Sequence, residues 1–322
     1  MGCSNSSVSV KIENKSLSQL TNSFTIDKYE PNLEEDFGVL SFLELDKNRF
    51  LVLTQYNKIL IYDKKKYEVI SSIKLETTAN SIIKIKKDKY IFGGDNGKLS
   101  LLEIDKKNNY SILTSFTCEK SISKIIEKEG EVIIASFNKI IFLNLNDKNE
   151  LILKNSIEDN LLENNIYNIY TVDNLLLSLS YNEEKIEKNQ LIIYDLNDNN
   201  KIVHKEEEAS VIPWCNTICN FNSHLLIISG NDCEIRIFDI KAFKTLAKII
   251  DLDFFYSVFC QGSKIFCGGN TGKLYEFKFN PEDNKLKLIN QKKIHDSTIF
   301  SITKISRAIV TTSRDGKIKF FT

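Results

Sequence analysis

Short apolar runs of β-branched and aromatic residues recur along the chain, and turns rich in Asn, Asp, Gly and Lys separate them. Such runs predict β-strands. Seven of them open directly after a tight polar turn: NKILIYD (57–63), NGKLSLLE (96–103), NKIIFLN (138–144), NQLIIYD (189–195), CEIRIFD (233–239), TGKLYEFK (271–278) and DGKIKFFT (315–322). Their equivalent positions are Tyr62, Leu102, Leu143, Tyr194, Phe238, Phe277 and Phe321, at spacings of 40, 41, 51, 44, 39 and 44 residues. A repeat of this length is typical of a four-stranded propeller blade.

Two further strands precede each of these runs, and a weaker fourth strand follows. The earliest strand of a repeat carries a small polar residue at a matching place, as in VLSF (39–42) and ANSI (79–82), and the third repeat, near 121–126, fits least well. The pattern therefore predicts an all-β fold, a seven-bladed β-propeller of four-stranded antiparallel blades. Strand content this regular leaves no room for a helical domain.

The seventh repeat lacks its outermost strand, because the sequence stops at Thr322 just after the third one. A ring leaves no open edge only if another segment pairs there. The segment NSFTI (22–26) lies before the first blade and is the natural candidate. We therefore expect a flexible tail over residues 1–20 and a propeller over residues 21–322 that an N-terminal strand closes.

The last repeat, IHDSTIFSITKISRAIVTTSRDGKIKFF, resembles a blade of the WD40 family, and the resemblance extends over about residues 20–322. His295, Ser313 and Asp315 stand at the family's His, Ser/Thr and Asp-Gly positions. Tyr62-Asp63, Tyr194-Asp195 and Phe238-Asp239 look like the Trp-Asp pair with another aromatic residue substituted. No blade carries the Trp, and only the last carries the His. The resemblance implies a structural, hydrogen-bonding role for His295, Ser313 and Asp315.

Composition argues against several classes of function. The 43 basic and 43 acidic residues among 322 balance, and such a chain gives no sign of nucleic-acid binding. The seven cysteines lack paired spacing, which favours reduced, buried thiols. Cys215 and Cys219 would share a strand face, so a metal site is the alternative, but no C-x-x-C occurs. We predict no metal and no cofactor.

No motif indicates catalysis. FGGDNGK (92–98) and CGGNTGK (267–273) lack the first Gly and the final Ser/Thr of a phosphate-binding loop, and both fall at the turn between the second and third strands of a blade. Glycines there serve a tight hairpin. No G-x-S-x-G, H-E-x-x-H or Ser/His/Asp set is present. We predict that the protein is not an enzyme.

The first residues, Met1-Gly2-Cys3-Ser4-Asn5-Ser6, match the pattern for N-myristoylation of Gly2. Cys3 is a natural palmitoyl acceptor, and two acyl chains anchor a protein more stably than one. The alternative is a chance Met-Gly start. No apolar run approaches the ~18 residues of a transmembrane helix, and the N-terminus has no signal-peptide core. We therefore predict a cytoplasmic protein that is held on the cytosolic face of a membrane.

The residue just before the first strand of each blade is informative. In order these residues are Gly38, Thr78, Ser121, Asn165, Trp214, Phe254 and Thr298. The WD40 resemblance implies that this position faces the mouth of the central channel. Two large aromatics on adjacent blades suggest a partner-binding site at Trp214, Phe254, Phe255, Asp232 and Asn270. The alternative is that the rings belong to the core.

The leading hypothesis is a non-catalytic scaffold that binds protein or peptide partners at the propeller rim and is tethered to a membrane by N-terminal acylation. The alternative is a soluble WD40-type subunit of a larger complex, in trafficking, ubiquitin ligation or cytoskeletal assembly, without a lipid anchor. An enzymatic propeller ranks third, because the catalytic motifs are missing.

Overall fold

The computed structural model describes residues 22–26, 38–158, 165–181, 190–207, 217–230, 233–250, 252–305 and 308–321. In these residues 28 strands pair into seven four-stranded antiparallel sheets, which are the blades of a β-propeller. The predicted fold class is confirmed. Within this part of the chain, we find no helix that has both the length and the apolar character needed to cross a membrane.

The first two strands of each blade are its inner strands. The first strands are β2 (Val39–Glu44), β6 (Ala79–Lys86), β10 (Ile122–Lys128), β14 (Asn165–Val172), β18 (Thr217–Asn220), β22 (Phe255–Gln261) and β26 (Ile299–Ile305). The second strands are β3 (Arg49–Thr54), β7 (Lys89–Gly94), β11 (Glu131–Ser136), β15 (Leu175–Tyr181), β19 (Leu225–Ser229), β23 (Lys264–Gly269) and β27 (Ala308–Ser313). The first strands of neighbouring blades contact one another, as β2 contacts both β6 and β26.

The outer half of each blade is formed by its third and fourth strands. The third strands are β4 (Lys58–Asp63), β8 (Lys98–Ile104), β12 (Lys139–Leu145), β16 (Gln190–Asp195), β20 (Ile235–Asp239), β24 (Lys273–Asn280) and β28 (Ile318–Phe321). The fourth strands are β5 (Val69–Lys74), β9 (Tyr110–Thr117), β13 (Leu151–Glu158), β17 (Lys201–Glu207), β21 (Lys244–Ile249), β25 (Lys285–Lys293) and, for the seventh blade, β1 (Asn22–Ile26).

Strand β1 closes the ring, as the sequence predicted. It pairs antiparallel with β28, so that Asn22 lies opposite Phe321 and Ile26 lies opposite Ile318. The register skips one residue of β1 between Phe320 and Phe321. In blades one to six the pairing between third and fourth strands shifts at the equivalent residue, as between Ile61 and Tyr62. The N-terminal strand therefore reproduces the outer strand of the other blades down to its irregularity.

Hydrophobic clusters fill the spaces between blades. Each of the seven clusters found among the described residues draws its side chains from two adjacent blades. The cluster between the seventh and first blades joins Val310, Ile318 and Phe320 to Phe42 and Phe50. Because the middle of each sheet is covered on both faces, second strands such as β3, β11 and β19 are buried over consecutive residues rather than alternately.

Aromatic rings concentrate at the seam between the seventh and first blades. The Phe50 and Tyr62 rings stack with centroids 4.8 Å apart, and Phe42 stacks on Phe50 at 4.4 Å. Phe320 approaches Tyr67 edge-on at 5.2 Å. Such pairs add to the burial energy of the rings, and they lie beside the strand pair that joins the two ends of the chain.

The turns between second and third strands all lie on one side of the ring, which we call the upper face; the opposite side is the lower face. The two glycine-rich segments noted in the sequence are upper-face hairpins, which confirms the prediction for them. Gly97 and Gly272 adopt φ values of +70° and +77°, a conformation that glycine reaches without strain.

Deleting residues 1–30 removes β1 and leaves the edge of β28 without a partner, so we expect a lower melting temperature and a lower urea midpoint for the whole ring. Deleting residues 2–12 spares the strand and should leave both values unchanged. Circular dichroism of the two truncations and the full chain makes the comparison. If both truncations unfold like the full chain, β1 does not close the ring.

Candidate functional site

In the six blades where this part of the chain is described, a β-bulge near the start of the first strand turns one residue toward the central channel. In six blades the pairing with the second strand passes over one residue, for example between Val39 and Ser41. The residues passed over are Leu40, Asn80, Ser123, Tyr167, Tyr256 and Phe300, and all six line the channel. In the fifth blade the described residues begin at Thr217, beyond the equivalent position.

The channel has a volume of about 810 Å³ and is lined unevenly. Tyr256 and Phe300 meet edge-on with ring centroids 5.8 Å apart on the sixth and seventh blades. Asn80 and Ser123 stand on the second and third blades, across the ring. One wall is therefore suited to apolar contact and the other to hydrogen bonding, which is the lining expected of a site for a peptide or a small organic group.

In two blades the next residue of the first strand ties neighbouring blades together. In the second blade the Ser81 hydroxyl oxygen accepts a hydrogen bond from the Ile125 amide at 3.1 Å. In the sixth blade the Ser257 hydroxyl donates to the Ile299 carbonyl at 3.1 Å. Since these bonds cross from one blade to the next, they fix the channel wall on which the bulge residues stand.

The structure separates the two adjacent phenylalanines of the predicted partner site. Phe254 precedes β22 on the upper face and is 43% exposed. Phe255 is fully buried, and its ring packs edge-on against Tyr275 at 5.3 Å. The prediction that Phe255 contacts a partner is therefore wrong: side chains alternate between faces in this strand, and that of Phe255 belongs to the core between the fifth and sixth blades.

Asn270 lies beside Phe254 on the upper face and has a structural role. Its amide donates to the Phe254 carbonyl at 2.8 Å, and its side-chain oxygen accepts a hydrogen bond from the Thr298 hydroxyl at 2.7 Å. Thr78 makes the same kind of bond to Asn57 between the first and second blades at 2.9 Å. Asn270 therefore links the sixth blade to the seventh, and its exposed surface borders Phe254. Trp214 and Asp232 lie outside the described residues, as do Gly2 and Cys3.

Asp253, which the sequence analysis did not single out, fixes the backbone before Phe254. This buried carboxylate accepts hydrogen bonds from the Thr271 hydroxyl at 2.6 Å, the Tyr275 hydroxyl at 3.1 Å and the Phe254 amide at 2.9 Å. Burial, then the charge of Asp253, raises the pKa of Tyr275 to about 12. A single Asp between Leu252 and Phe254 gives no sequence signal, because its partners come from the following hairpin.

His295 and Asp315 form the predicted structural network in the last blade. His295 Nδ1 lies 3.0 Å from an Asp315 carboxylate oxygen, and Nε2 lies 2.8 Å from the Thr311 hydroxyl. The histidine thus bonds Thr311 rather than Ser313. Ser313 instead donates to the Ser297 carbonyl at 3.2 Å and accepts a bond from the Asp315 amide at 3.1 Å. All these groups brace the upper-face hairpin of the seventh blade.

Three cysteines come together between the fifth and sixth blades. The sulfurs of Cys219 and Cys260 are 3.0 Å apart, and burial, then the proximity of Cys219, raises the pKa of Cys267. Among the described residues no group of three potential ligands could hold a metal ion. Cys215 lies outside those residues. The described thiols pack as partly or fully buried side chains.

The fold and the channel identify the class of protein as a seven-bladed β-propeller with an open axial site. No protein-family model and no curated protein matches the chain. Solved structures do match. The WD40 β-propeller domain of Doa1 aligns with a TM-score of 0.73 and 14% identity, over 94% of this chain and 96% of that one.

Two further structures are similar. Saccharomyces cerevisiae Sqt1 aligns with a TM-score of 0.68 and 14% identity, over 86% of this chain and 82% of that one. A chain of the Mitotic Checkpoint Complex aligns with a TM-score of 0.75 and 13% identity, over 94% of this chain and 91% of that one. This protein therefore has the WD40 β-propeller fold, and the resemblance seen in the sequence is confirmed at the level of the fold.

The carboxylate of Asp315 gives the last blade a pH-dependent stability. Burial alone would raise the pKa of Asp315, but the hydrogen bond and charge of His295 and the Asp296 and Lys317 amides outweigh it and lower the pKa to about 2. The folded state therefore favours the ionised carboxylate. This stabilisation, about 2 kcal/mol, is complete above about pH 4 and is lost as the pH falls toward 2.

We expect Asp315→Asn to lower the free energy of unfolding at neutral pH by about that amount. The difference in unfolding free energy between wild type and variant should become smaller as the pH is lowered from 5 to about 3, because the wild type loses the contribution of the ionised carboxylate. Urea titrations across this range measure it. Asp296→Asn, at an exposed neighbouring carboxylate, is the control and should change little. A difference in unfolding free energy that stays constant over this pH range would contradict the stabilising role of the ionised Asp315.

Proposed function

We propose that this protein is a non-catalytic platform that binds an extended segment of a partner protein at the upper mouth of its central channel. The observation that carries the proposal is the ring of bulge residues. Their positions are fixed by the blades, and all six side chains line the channel. Asn80 and Ser123 also donate to first-strand carbonyls of the next blade, whereas the rings of Tyr256 and Phe300 pack on each other. The channel volume is in the range of pockets that bind organic ligands.

Phe254 extends this site onto the upper face. Its ring is exposed, and it stands two residues before the channel-lining Tyr256. An exposed aromatic residue with a polar surround is the usual composition of a binding hot spot. We expect Trp214, predicted at the same repeat position in the adjacent fifth blade, to contribute to the same surface. A propeller inside a multiprotein assembly has a precedent in the similar chain of the Mitotic Checkpoint Complex.

The two adjacent phenylalanines give a matched pair of variants. Phe254→Ala should leave the melting temperature nearly unchanged and weaken partner binding at least tenfold. Phe255→Ala should instead destabilise the fold by about 3–5 kcal/mol, since it empties a core position. Thermal melts measure the stability of both variants. Quantitative affinity capture from the native source measures partner binding, with Ile289→Ala on the outer strand β25 as the control. Equal capture by Phe254→Ala and Ile289→Ala would overturn the site.

We further propose that the platform is tethered to the cytosolic face of a membrane through acyl groups on Gly2 and Cys3. The motif at residues 1–6 supports this. The direction of β1 adds a geometric consequence. Asn22 pairs with Phe321 at the lower end of β28, so the chain enters the ring at the lower face. A tether at that face leaves the upper mouth turned toward the cytosol.

Lower-face turns also suit an anionic surface. Lys65 and Lys66 are exposed at one turn of the first blade, and Lys106 and Lys107 at one turn of the second. The aspartates of these turns accept backbone amide hydrogens of the turns themselves. For example, the Asp63 carboxylate accepts the amide hydrogens of Lys65 and Lys66 at 2.7 and 2.8 Å. Exposed lysines near an acyl chain strengthen binding to acidic lipids.

The alternative is a soluble subunit of a larger complex in which residues 1–6 carry no lipid. Replacing Gly2 separates the two hypotheses, because the amide to the fatty acid forms only on an N-terminal glycine. Gly2→Ala should release the protein to the cytosol, and Cys3→Ser should leave a single chain whose binding is weak and reversible. Fractionation of cells, together with labelling by an alkyne myristate analogue, measures both. Membrane association that survives Gly2→Ala, or absence of label, would favour the soluble subunit.

A further inference from the structure

The residue that directly follows the bulge differs in character in one blade. At this position Ser41, Ser81, Asn168, Thr217, Ser257 and Ser301 are small and uncharged, whereas the third blade carries Lys124. The register confirms the equivalence, since Lys124 pairs with Ala135 immediately after the bulge, as Ser41 pairs with Leu53. The third repeat fitted the sequence pattern poorly for this reason.

Lys124 lines the central channel and is partly buried there. Burial lowers the pKa of its ammonium group, because a charge is less stable away from bulk water. Within the described part of the chain, no carboxylate lies within ion-pair distance of it. Asp95, the carboxylate that lines the same channel, is exposed at the mouth and accepts a hydrogen bond from Asn80 at 2.9 Å instead.

The surroundings of Lys124 favour a small, singly charged acceptor. The Ser81 oxygen accepts the Ile125 amide hydrogen, so its own proton can be donated into the channel. One ammonium group and one hydroxyl match a carboxylate. A phosphate group, with more charge and more acceptor oxygens, is usually held by a guanidinium fork or by several cations. Tyr167, Tyr256 and Phe300 provide apolar contact for the rest of a peptide.

We propose that the channel selects an acidic partner segment, in which the carboxylate of an Asp or Glu side chain pairs with Lys124. This inference rests on the proposed function, since it names the chemistry of the segment that the platform binds. Charge complementarity supports it: a carboxylate would give a partly desolvated ammonium the counter-charge that the described residues do not supply.

The test is a selection from a library of random dodecapeptides on the immobilised full-length protein, made in parallel on four variants. Lys124→Ser installs the residue that four other blades carry, so folding should be preserved. Lys124→Arg keeps the charge, and Lys304→Ser removes a comparable lysine of β26 that does not line the channel. Phe300→Ser, which copies Ser123 of the third blade, identifies the peptides that bind in the channel.

We expect channel-dependent peptides from the wild type, Lys124→Arg and Lys304→Ser to be enriched in Asp or Glu at one position, and those from Lys124→Ser not to be. For a selected peptide, replacing that Glu by Gln should weaken binding to the wild type about tenfold and have little effect with Lys124→Ser. This double-mutant cycle isolates the interaction between Lys124 and the peptide carboxylate, because the carboxylate should strengthen binding only while the lysine is present.

Two outcomes would overturn the inference in distinguishable ways. Channel-dependent peptides without acidic enrichment, or an equal Glu-to-Gln loss on wild type and Lys124→Ser, would refute the acidic preference and leave the platform intact. If none of the selected peptides depended on Phe300, both the acidic preference and the proposed channel site would be wrong.

Discussion

The pairing of β1 with β28 closes a ring in which every blade depends on its two neighbours. Each hydrophobic cluster is made by two adjacent blades, so a sheet buries its second face only when the next blade is in place. An open chain of blades would expose two apolar faces and an unpaired strand edge. Closure removes all of these at one seam, where Phe42, Phe50, Tyr62 and Phe320 pack together.

This constraint explains which channel residues vary and which do not. The bulge residue has no partner in its sheet, so Leu, Asn, Ser, Tyr and Phe are all compatible with the fold at that position. The following residue bonds to the next blade in the second and sixth blades, and it is small and polar in six of the seven described cases. Lys124 is the exception. Variation at the first position therefore says little about stability, whereas a charged residue at the second calls for a functional explanation.

The sequence was sufficient for the architecture because its signals are local and repeated. The seven landmark positions fall at the register shift between the third and fourth strands, and the missing outer strand identified 22–26 as the closing segment. The side-chain network of the last blade was partly predictable, since His295 and Asp315 stand at the His and Asp-Gly positions of the WD40 resemblance. The bond to Thr311 rather than Ser313 was not, because residues two apart share a strand face and only the structure shows which of them His295 reaches.

The binding surface was harder to predict, because it depends on residue orientation across blades. Phe254 and Phe255 are neighbours with the same composition signal, yet one is exposed and the other is buried against Tyr275. The six bulge residues are of five different types, so no motif could mark them. Asp253 and Lys124 gain their importance from hydrogen bonds and burial that appear only once adjacent blades meet.

The closing seam also has a consequence for biosynthesis. Residues 22–26 are made almost 300 residues before their partner in β28, which pairs through Ile318–Phe321. At about 5–20 residues per second, roughly 15–60 s separate the two events. During that interval the nascent chain carries an unpaired edge segment and blades whose end faces are uncovered, both of which favour association with other chains. A ring that joins two strands so far apart in the sequence therefore leaves the emerging polypeptide dependent on protection until β28 has been made.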